Sequence, residues 1–224
     1  MNKPTFEGQP IVTAFDVDGV INVFPEWPEK IEGETVEMRK AKWNETARAQ
    51  GLTVWEGSLY EEYPAMHFYH PDISEIILWL DANTEFGWCT SHSEGGLIIG
   101  RLVCSLPERE VFLNSCRPLG IDSDEWAEKR WGKDFIESLT HKQQQETGKE
   151  WLFIDGRMVA LHETMGSRAL LWIDDDAKAP LSQIWADERN SDIAPTKIIA
   201  PDGRTGMTLD HLQEAKEWIE EIAD

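Results

Sequence analysis

The sequence predicts an α/β fold built on a mostly parallel sheet, and three observations support this. Short apolar runs, each long enough for one strand, recur along the 224 residues and end in polar or turn residues. Segments with helical periodicity lie between these runs. The length suits one domain with a sizeable core. Strands that alternate with helices favour parallel pairing through right-handed crossovers.

Four apolar runs are the predicted strands, and a shorter run is added as a fifth. Continuous apolar runs of this length are typical of strands buried on both faces. The four are IVTAF before Asp16, FGWC before Thr90, ALLWI before Asp174 and TKIIA before Pro201. The fifth, WLFI before Asp155, completes a predicted five-stranded sheet.

Three segments between or after these runs are predicted helices. The segment DISEIILWLDAN has apolar residues at the spacing of one helix face, namely Ile73, Ile76, Ile77 and Leu80. The segment APLSQIWADERN follows the third run. The last helix starts after Thr208, its expected N-cap, and its apolar face consists of Leu209, Leu212, Ala215, Ile219 and Ile222.

Two regions interrupt the alternation of strands and helices. Residues 22–70 are rich in Pro, Glu and Trp and contain alternating stretches such as TVEMRKAKW and LTVWEGSLY. They predict a small β-rich insertion or lid after the first strand. Residues 105–150 are polar and predict a second insertion of helices and loops. We therefore expect residues 1–224 to form a single domain with these two insertions.

Charge and composition argue against several classes of partner. The chain has 42 acidic and 21 basic residues, a formal net charge of −21, and no run of Lys and Arg. Nucleic-acid binding depends on clustered basic residues, so we expect no nucleic-acid partner. No stretch approaches the roughly 18 consecutive apolar residues of a membrane helix, so no membrane association is expected.

The cysteines and the first residues of the chain favour a cytoplasmic protein. The three cysteines, Cys89, Cys104 and Cys116, are odd in number and far apart. This spacing argues against a disulfide framework and against a zinc site, and indicates a reducing compartment. The first ten residues, MNKPTFEGQP, contain no apolar segment that would predict a secretion signal.

Acidic residues directly follow two of the predicted strands. Asp16 and Asp18 follow the first, and Asp174, Asp175 and Asp176 follow ALLWI. In open α/β sheets, ligands bind beyond the carboxyl ends of the strands. If these two strands are neighbours, the carboxylates converge and need a cation to remain ionised. Oxygen ligands select a hard cation such as Mg²⁺, which also binds phosphate oxygens, so a phosphorylated substrate is indicated.

The spacing at the first strand assigns chemical roles. Asp16 can attack phosphorus as a nucleophile. Asp18 points the same way along an extended chain and can donate a proton to the leaving alcohol. Gly19 allows a sharp turn beneath the site. The Thr90 hydroxyl, at the next strand tip, can hold a phosphate oxygen, and a basic residue is still needed to offset the charge.

Structural roles are the alternative for these residues. A calcium loop is excluded because the twelfth residue counted from Asp16 is Trp27 rather than glutamate. A turn at DVDG, a helix cap formed by the IDDD run and a capping hydroxyl at Thr90 remain open on the residues alone.

The motifs AFDVDGVIN, GWCTSH and LLWIDDD, in this order, resemble motifs I, II and IV of the haloacid dehalogenase superfamily of phosphohydrolases. The likeness is closer to small bacterial and phage members, because IWADERN and APTKIIAPDGRTGMTLDHL follow their pattern too. It extends, with interruptions, from Ile11 to Trp218. The resemblance implies a Rossmann-like core, that is, a three-layer sandwich with the sheet in the middle.

The resemblance also implies a role for each matching residue. Asp16 is the expected nucleophile, and Asp18 the expected general acid and base. Mg²⁺ is expected to bind Asp16, the backbone carbonyl of Asp18, and the acidic pair Asp174 and Asp175. Asp176 is left as a cap of the next helix.

The phosphate ligands implied by the resemblance are the hydroxyls of Thr90 and Ser91 and one basic residue. In the family this residue is usually a lysine that opens the helix before the fourth motif. Arg157 occupies that place, in IDGRMVALHETM, and Lys149 and Lys142 are the alternatives.

Together these inferences predict a cytoplasmic, Mg²⁺-dependent phosphomonoesterase that acts on a small phosphorylated metabolite or nucleotide through an aspartyl-phosphate. Two alternatives are a phosphatase that processes nucleic-acid ends and a binding module that keeps the fold without turnover. The net charge argues against the first, and the intact pair of aspartates argues against the second.

Overall fold

The computed structural model describes residues 3–26, 29, 31–60, 63–90, 111–114, 121–147 and 154–224, without the side chains of 55–60, 63–67, 111–114 and 146–147. The described residues form these strands: β1 (Thr5–Phe6), β2 (Gln9–Pro10), β3 (Val12–Phe15), β4 (Thr53–Tyr60), β5 (Tyr63–Tyr69), β6 (Glu85–Thr90), β7 (Val111–Asn114), β8 (Leu170–Ile173) and β9 (Thr196–Ile199). They form these helices: α1 (Val36–Ala49), α2 (Ile73–Asn83), α3 (Ser123–Trp131), α4 (Lys133–Thr147), α5 (Gly156–Met165), α6 (Pro180–Asp192) and α7 (Leu209–Ile222).

The four longer apolar runs form the parallel sheet that was predicted from them. They pair in the order β6, β3, β8, β9, so the first strand lies between the second and third. The sheet continues beyond β6 with β7, which the sequence had assigned to an insertion. WLFI lies outside the described residues except for Ile154. The predicted set of five strands is therefore not confirmed.

Helices cover both faces of the sheet because side chains alternate along each strand. One cluster of buried residues joins α2 and α7 to the face that contains Phe15, Leu171 and Ile173. A second cluster joins α5 and α6 to the face that contains Val12 and Trp172. This arrangement agrees with the predicted α/β fold and is compatible with a Rossmann-like core.

The predicted helices are present at the expected places. The buried residues of α2 are those of the predicted face, Ile73, Ile76, Ile77 and Leu80. In α7, the N–H of Thr208 donates to Nδ1 of His211 at 3.0 Å, which closes a capping box. Leu209 lies off the buried face and is 41% exposed.

The prediction of a β-rich region over residues 22–70 is wrong in its first half. TVEMRKAKW belongs to α1, where the Thr35 hydroxyl accepts a hydrogen bond from the N–H of Met38 at 3.2 Å. The alternation is misleading because Val36 and Met38 are both exposed. The second half is the antiparallel hairpin of β4 and β5.

Residues 121–147 form the polar helices α3 and α4 that were predicted within 105–150. Residues 111–114 are not part of an excursion, since they pair with β6. None of the helices in the described ranges has both the length and the apolar character of a membrane span.

A cluster of aromatic and charged side chains joins α3, α5 and α6. Nδ1 of His162 accepts a hydrogen bond from the Trp185 indole at 3.2 Å. Nη1 of Arg130 lies 3.5 Å from Nε2 of His162, and Nη2 of Arg130 binds Glu188 at 2.7 Å. The Trp126 ring lies 5.1 Å from the imidazole. Burial, assisted by Arg130, lowers the pKa of His162.

Candidate active site

Asp16 and Asp174 meet at one edge of the sheet because β3 and β8 are parallel neighbours. The parallel hydrogen bonding extends past the strands, with the N–H of Asp16 donating to Ile173 O at 2.9 Å. In the same way the N–H of Asp174 donates to Ile199 O at 3.1 Å. The two acids are 2% and 0% exposed. The sheet thus holds two buried carboxyl groups at its carboxyl edge, as the sequence predicted.

Asp175 completes a cluster of three carboxylates that fits a metal ion. Each of Asp16, Asp174 and Asp175 offers one oxygen, and these oxygens lie within 4.8 Å of one another. Oδ1 of Asp16 is buried and accepts no hydrogen bond of standard geometry from the described residues. A buried carboxylate oxygen that lacks a well-aligned donor is costly unless a cation binds it. The all-oxygen donor set favours a hard cation such as Mg²⁺.

The Arg157 guanidinium lies among the carboxylates. Four aspartates contact it, namely Asp16 at 2.5 Å, Asp155 at 3.0 Å, Asp174 at 3.1 Å and Asp176 at 3.3 Å. Arg157 is 8% exposed, although its charge would favour solvent. Among the described residues, one guanidinium faces four carboxylates, so these five groups together carry an excess of formal negative charge.

The ionisation of the cluster reflects this balance. Burial raises the pKa of Asp16 to about 6, and Arg157 opposes the shift most strongly. Burial also raises the pKa of Asp174 well above its usual range, again against the effect of Arg157. For Arg157, burial alone would lower the pKa, but the carboxylates outweigh it and the net shift is upward. Protons and a metal ion would therefore compete for the same oxygens.

Asp18 lies in the turn that follows β3. Its Oδ1 accepts a hydrogen bond from Asn22 Nδ2 at 2.8 Å, and the N–H of Gly19 donates to Asn22 O at 2.8 Å. Gly19 has a φ of 72°, and a methyl group placed there would lie 2.2 Å from Cγ of Asp175. The turn therefore needs glycine both for its conformation and for the close approach of Asp175.

The predicted phosphate ligands are only partly within the described residues. Thr90 ends β6, is 1% exposed, and its hydroxyl contributes to lowering the pKa of Asp16. Ser91 and Lys149 lie outside the described residues. Lys142 is an exposed residue of α4, with no contact to the carboxylates in the described part of the chain. Of the described basic residues proposed from the sequence, Arg157 is the one at Asp16.

Asp155 is a site residue that the sequence did not identify. It follows the predicted strand WLFI, caps α5, and accepts hydrogen bonds from the N–H of Arg157 at 2.9 Å and from its Nε at 3.0 Å. The signal was the arginine two residues further on, at the start of a helix. The prediction that Asp176 caps the next helix is wrong. Asp176 does not cap α6, whose N-cap is Ala179.

The loop after β9 borders the carboxylate cluster. The N–H of Phe24 donates to Gly203 O at 2.8 Å, and the N–H of Met207 donates to Val20 O at 3.0 Å. A methyl group placed at Gly203 would lie 2.7 Å from Oδ2 of Asp175. This loop and the segment that follows Asp16 and Asp18 therefore enclose Asp175 together.

Comparison of the chain with family models, with curated proteins and with solved structures finds no match.

Proposed function

We propose that the protein is a Mg²⁺-dependent phosphohydrolase that cleaves small phosphomonoesters through an aspartyl-phosphate at Asp16. One observation supports this most strongly. Asp16 is buried, Arg157 binds its Oδ2, its Oδ1 accepts no hydrogen bond of standard geometry from the described residues, and one of its oxygens lies within 4.8 Å of oxygens of Asp174 and Asp175. The proposal agrees with the resemblance of three motifs to the haloacid dehalogenase superfamily.

The residues that would hold Mg²⁺ are Asp16, Asp174 and Asp175, with the backbone carbonyl of Asp18 as a further ligand. When bound, the ion would offset the charge of the carboxylates and of the phosphate oxygens. Arg157 supplies positive charge from the protein.

The first half-reaction depends on Asp16, Asp18 and Arg157. A carboxylate oxygen of Asp16 attacks phosphorus, and the bond from phosphorus to the leaving oxygen breaks. Asp18, in its protonated form, gives its proton to that oxygen. Arg157 fixes Asp16 and, with the hydroxyls of Thr90 and Ser91, stabilises the charge on the transferring phosphoryl group.

In the second half-reaction, Asp18 acts as a base. Its carboxylate takes a proton from water, and the water oxygen attacks phosphorus. Inorganic phosphate leaves and the Asp16 carboxylate is restored. The hydrogen bond from Asn22 to Asp18 orients the carboxyl group for both steps.

The rest of the chain has roles that follow from this proposal. The core would be a Rossmann-like three-layer sandwich, and residues 22–70 would act as a lid over the substrate. The cytoplasm, which supplies Mg²⁺ and phosphorylated metabolites, is the expected compartment.

Hydrolysis of para-nitrophenyl phosphate tests the proposal. We expect phosphate release by the purified chain with Mg²⁺ and none after chelation. Asp16→Asn should reduce the rate to background, and Asp18→Asn should reduce it by about 10²–10⁴-fold, because general acid and base catalysis is lost.

The matched control is Asp192→Asn, since Asp192 is an exposed residue at the end of α6, away from the sheet edge. This variant should keep the full rate. Undiminished phosphate release by Asp16→Asn would rule out the aspartyl-phosphate mechanism.

A further inference from the structure

A pocket of about 510 Å³ is lined in part by the loop after β9, the loop that borders the carboxylate cluster. This volume is within the range of about 300–1,000 Å³ that is typical of small-molecule sites. Its walls come from two parts of the chain. Pro25, Glu26, Gln50, Leu52 and His70 belong to the region after β3, and Asp202, Arg204, Thr205 and Thr208 belong to the region after β9.

The loop after β9 is shared by the pocket and the carboxylate cluster. Gly203 faces Asp175, and its neighbours Asp202 and Arg204 line the pocket. A methyl group at Gly203 would lie 2.7 Å from Oδ2 of Asp175, and consecutive Cα atoms are about 3.8 Å apart. The Cα atom of Arg204 therefore lies at most roughly 8 Å from that oxygen. A phosphate at Asp16 would therefore place the rest of a small substrate next to this pocket.

The polar groups of the pocket include both donors and acceptors. Arg204 offers only donors, and it makes no ion pair with any described residue. The carboxylates of Glu26 and Asp202 offer only acceptors, although Oδ1 of Asp202 already accepts from the N–H of Arg204 at 2.8 Å. Gln50 offers both. A ligand that satisfies these groups must itself donate and accept at several positions.

The charges and side-chain types of the pocket lining favour one class of leaving group over the others. A second phosphate would meet Arg204 but would be repelled by Glu26 and Asp202. A nucleobase presents a flat ring that usually packs on aromatic side chains, and none of the described residues that line the pocket is aromatic except the imidazole of His70. Hydroxyl groups both donate and accept, so several of them on one ligand match the lining best.

We propose, building on the phosphohydrolase function above, that this pocket holds the leaving group and selects a polyhydroxylated one, so that the substrate is a sugar or polyol monophosphate. Arg204 and Gln50 are the specificity-determining residues. They line the pocket from two parts of the chain, one after β9 and one at the end of α1. The reacting phosphate remains at Asp16.

The test compares para-nitrophenyl phosphate, which has no hydroxyls to bind in the pocket, with four probes: glucose 6-phosphate, ribose 5-phosphate, fructose 1,6-bisphosphate and adenosine monophosphate. The wild-type chain should show its highest kcat/KM on a sugar monophosphate. Arg204→Met should raise KM for that substrate about tenfold or more, because a hydrogen bond to a charged group is lost. Gln50→Leu should raise it less. The loss on para-nitrophenyl phosphate should be smaller than the loss on the sugar monophosphate, because its leaving group carries no hydroxyls for either side chain to bind.

The control is Arg48→Ala, which removes an exposed arginine near the end of α1 that does not line the pocket. A preference for the bisphosphate or the nucleotide would overturn the inference and leave the phosphohydrolase proposal standing. Equal losses by Arg204→Met on all substrates would do the same. If the wild-type chain hydrolyses no phosphoester, the proposed function fails and the inference falls with it.

Discussion

The imidazole of His162 lies between an indole that donates to it and a guanidinium that repels its protonated form. Trp185 binds Nδ1, so that nitrogen must be free of a proton. Arg130 lies beside Nε2, and Arg189 also lowers the pKa of the ring. Glu163 and Glu188 act in the opposite direction but do not reverse the shift. The neutral ring is therefore the form that joins α3, α5 and α6.

This arrangement predicts a pH-dependent stability. The folded-state pKa of His162 is below the usual 6.5, so the unfolded chain takes up a proton first as the pH falls. The contribution is present above about pH 6.5 and is lost as the pH falls through the folded-state pKa. His162→Gln keeps an acceptor for Trp185 but cannot titrate. The free energy of unfolding of the variant should therefore fall less between pH 8 and pH 5, by a few tenths of a kcal/mol, since the ring is partly exposed.

Thermal unfolding at the two pH values measures the difference. His141→Gln, at an exposed position of α4, is the matched control and should follow the wild type. Parallel pH profiles of His162→Gln and the wild type would show that the ring does not titrate in this way. Burial also lowers the pKa of His211. Because His211 is present in the wild type and in both variants, its effect on stability cancels in the comparison.

At the scale of the elements, the turn after β3 depends on Gly19. Gly19 and Gly8 have nearly the same φ, 72° and 73°, but no atom would lie within 4 Å of a methyl group at Gly8. Gly8→Ala should therefore cost about 1–2 kcal/mol, the strain of the left-handed conformation alone. Gly19→Ala should cost more, because Asp175 must move, and it should weaken Mg²⁺ binding as well.

Urea unfolding and calorimetric Mg²⁺ titration of the two variants separate these effects. The strain is common to both, so the difference between them reports the contact with Asp175. Equal losses of stability with unchanged Mg²⁺ affinity would mean that Asp175 adapts without cost.

Some of the helices and strands could be predicted from the sequence and others could not. IVTAF and ALLWI are predictable because strands buried on both faces leave continuous apolar runs, and their acidic tips meet because parallel neighbours end together. The strand β7 has only four residues, and because the sequence around it is polar it was predicted to be part of an insertion. The helix α1 buries only Asn44 and Ala47, so its periodicity is weak. Its capping residue Thr35 and the glycine beyond its end, Gly51 with a φ of 80°, were the better signals.

Some residues of the candidate site could likewise be predicted from the sequence, and others could not. Asp16, Asp174 and Asp175 were predictable because a short-range motif carries them to a strand tip. Arg157 was one of three alternatives, since the choice among basic residues depends on where a helix starts in space. Asp155 was missed because its partner is the arginine two residues further on and not a second acid. An ion pair between an acid and a base two positions apart leaves no periodic trace in the sequence.

At the scale of the whole molecule, the dominant quantity is the net charge of −21. In the described part of the chain, Arg157 is the guanidinium that contacts these clustered carboxylates, which add to the negative charge locally. A divalent cation that binds only the folded state stabilises it by mass action, by about 2.7 kcal/mol at a hundred times its Kd.

Mg²⁺ should therefore raise the Tm of the wild-type chain by several degrees and raise that of Asp175→Asn less, because one ligand is lost. Thermal unfolding should be compared in MgCl₂ and in NaCl at equal ionic strength, since screening alone stabilises a chain with this much charge. Asp192→Asn serves again as the control. An identical shift in both salts would show that no specific site is occupied.

The two hydrogen bonds between the loop after β9 and the segment after β3 also bear on the order of events during synthesis. They join Val20 to Met207 and Phe24 to Gly203, residues close to opposite ends of the chain. Asp16 is therefore synthesised long before Asp175 and before the loop that borders it. The carboxylate cluster and its bordering loop are complete only once residue 207 has emerged from the ribosome.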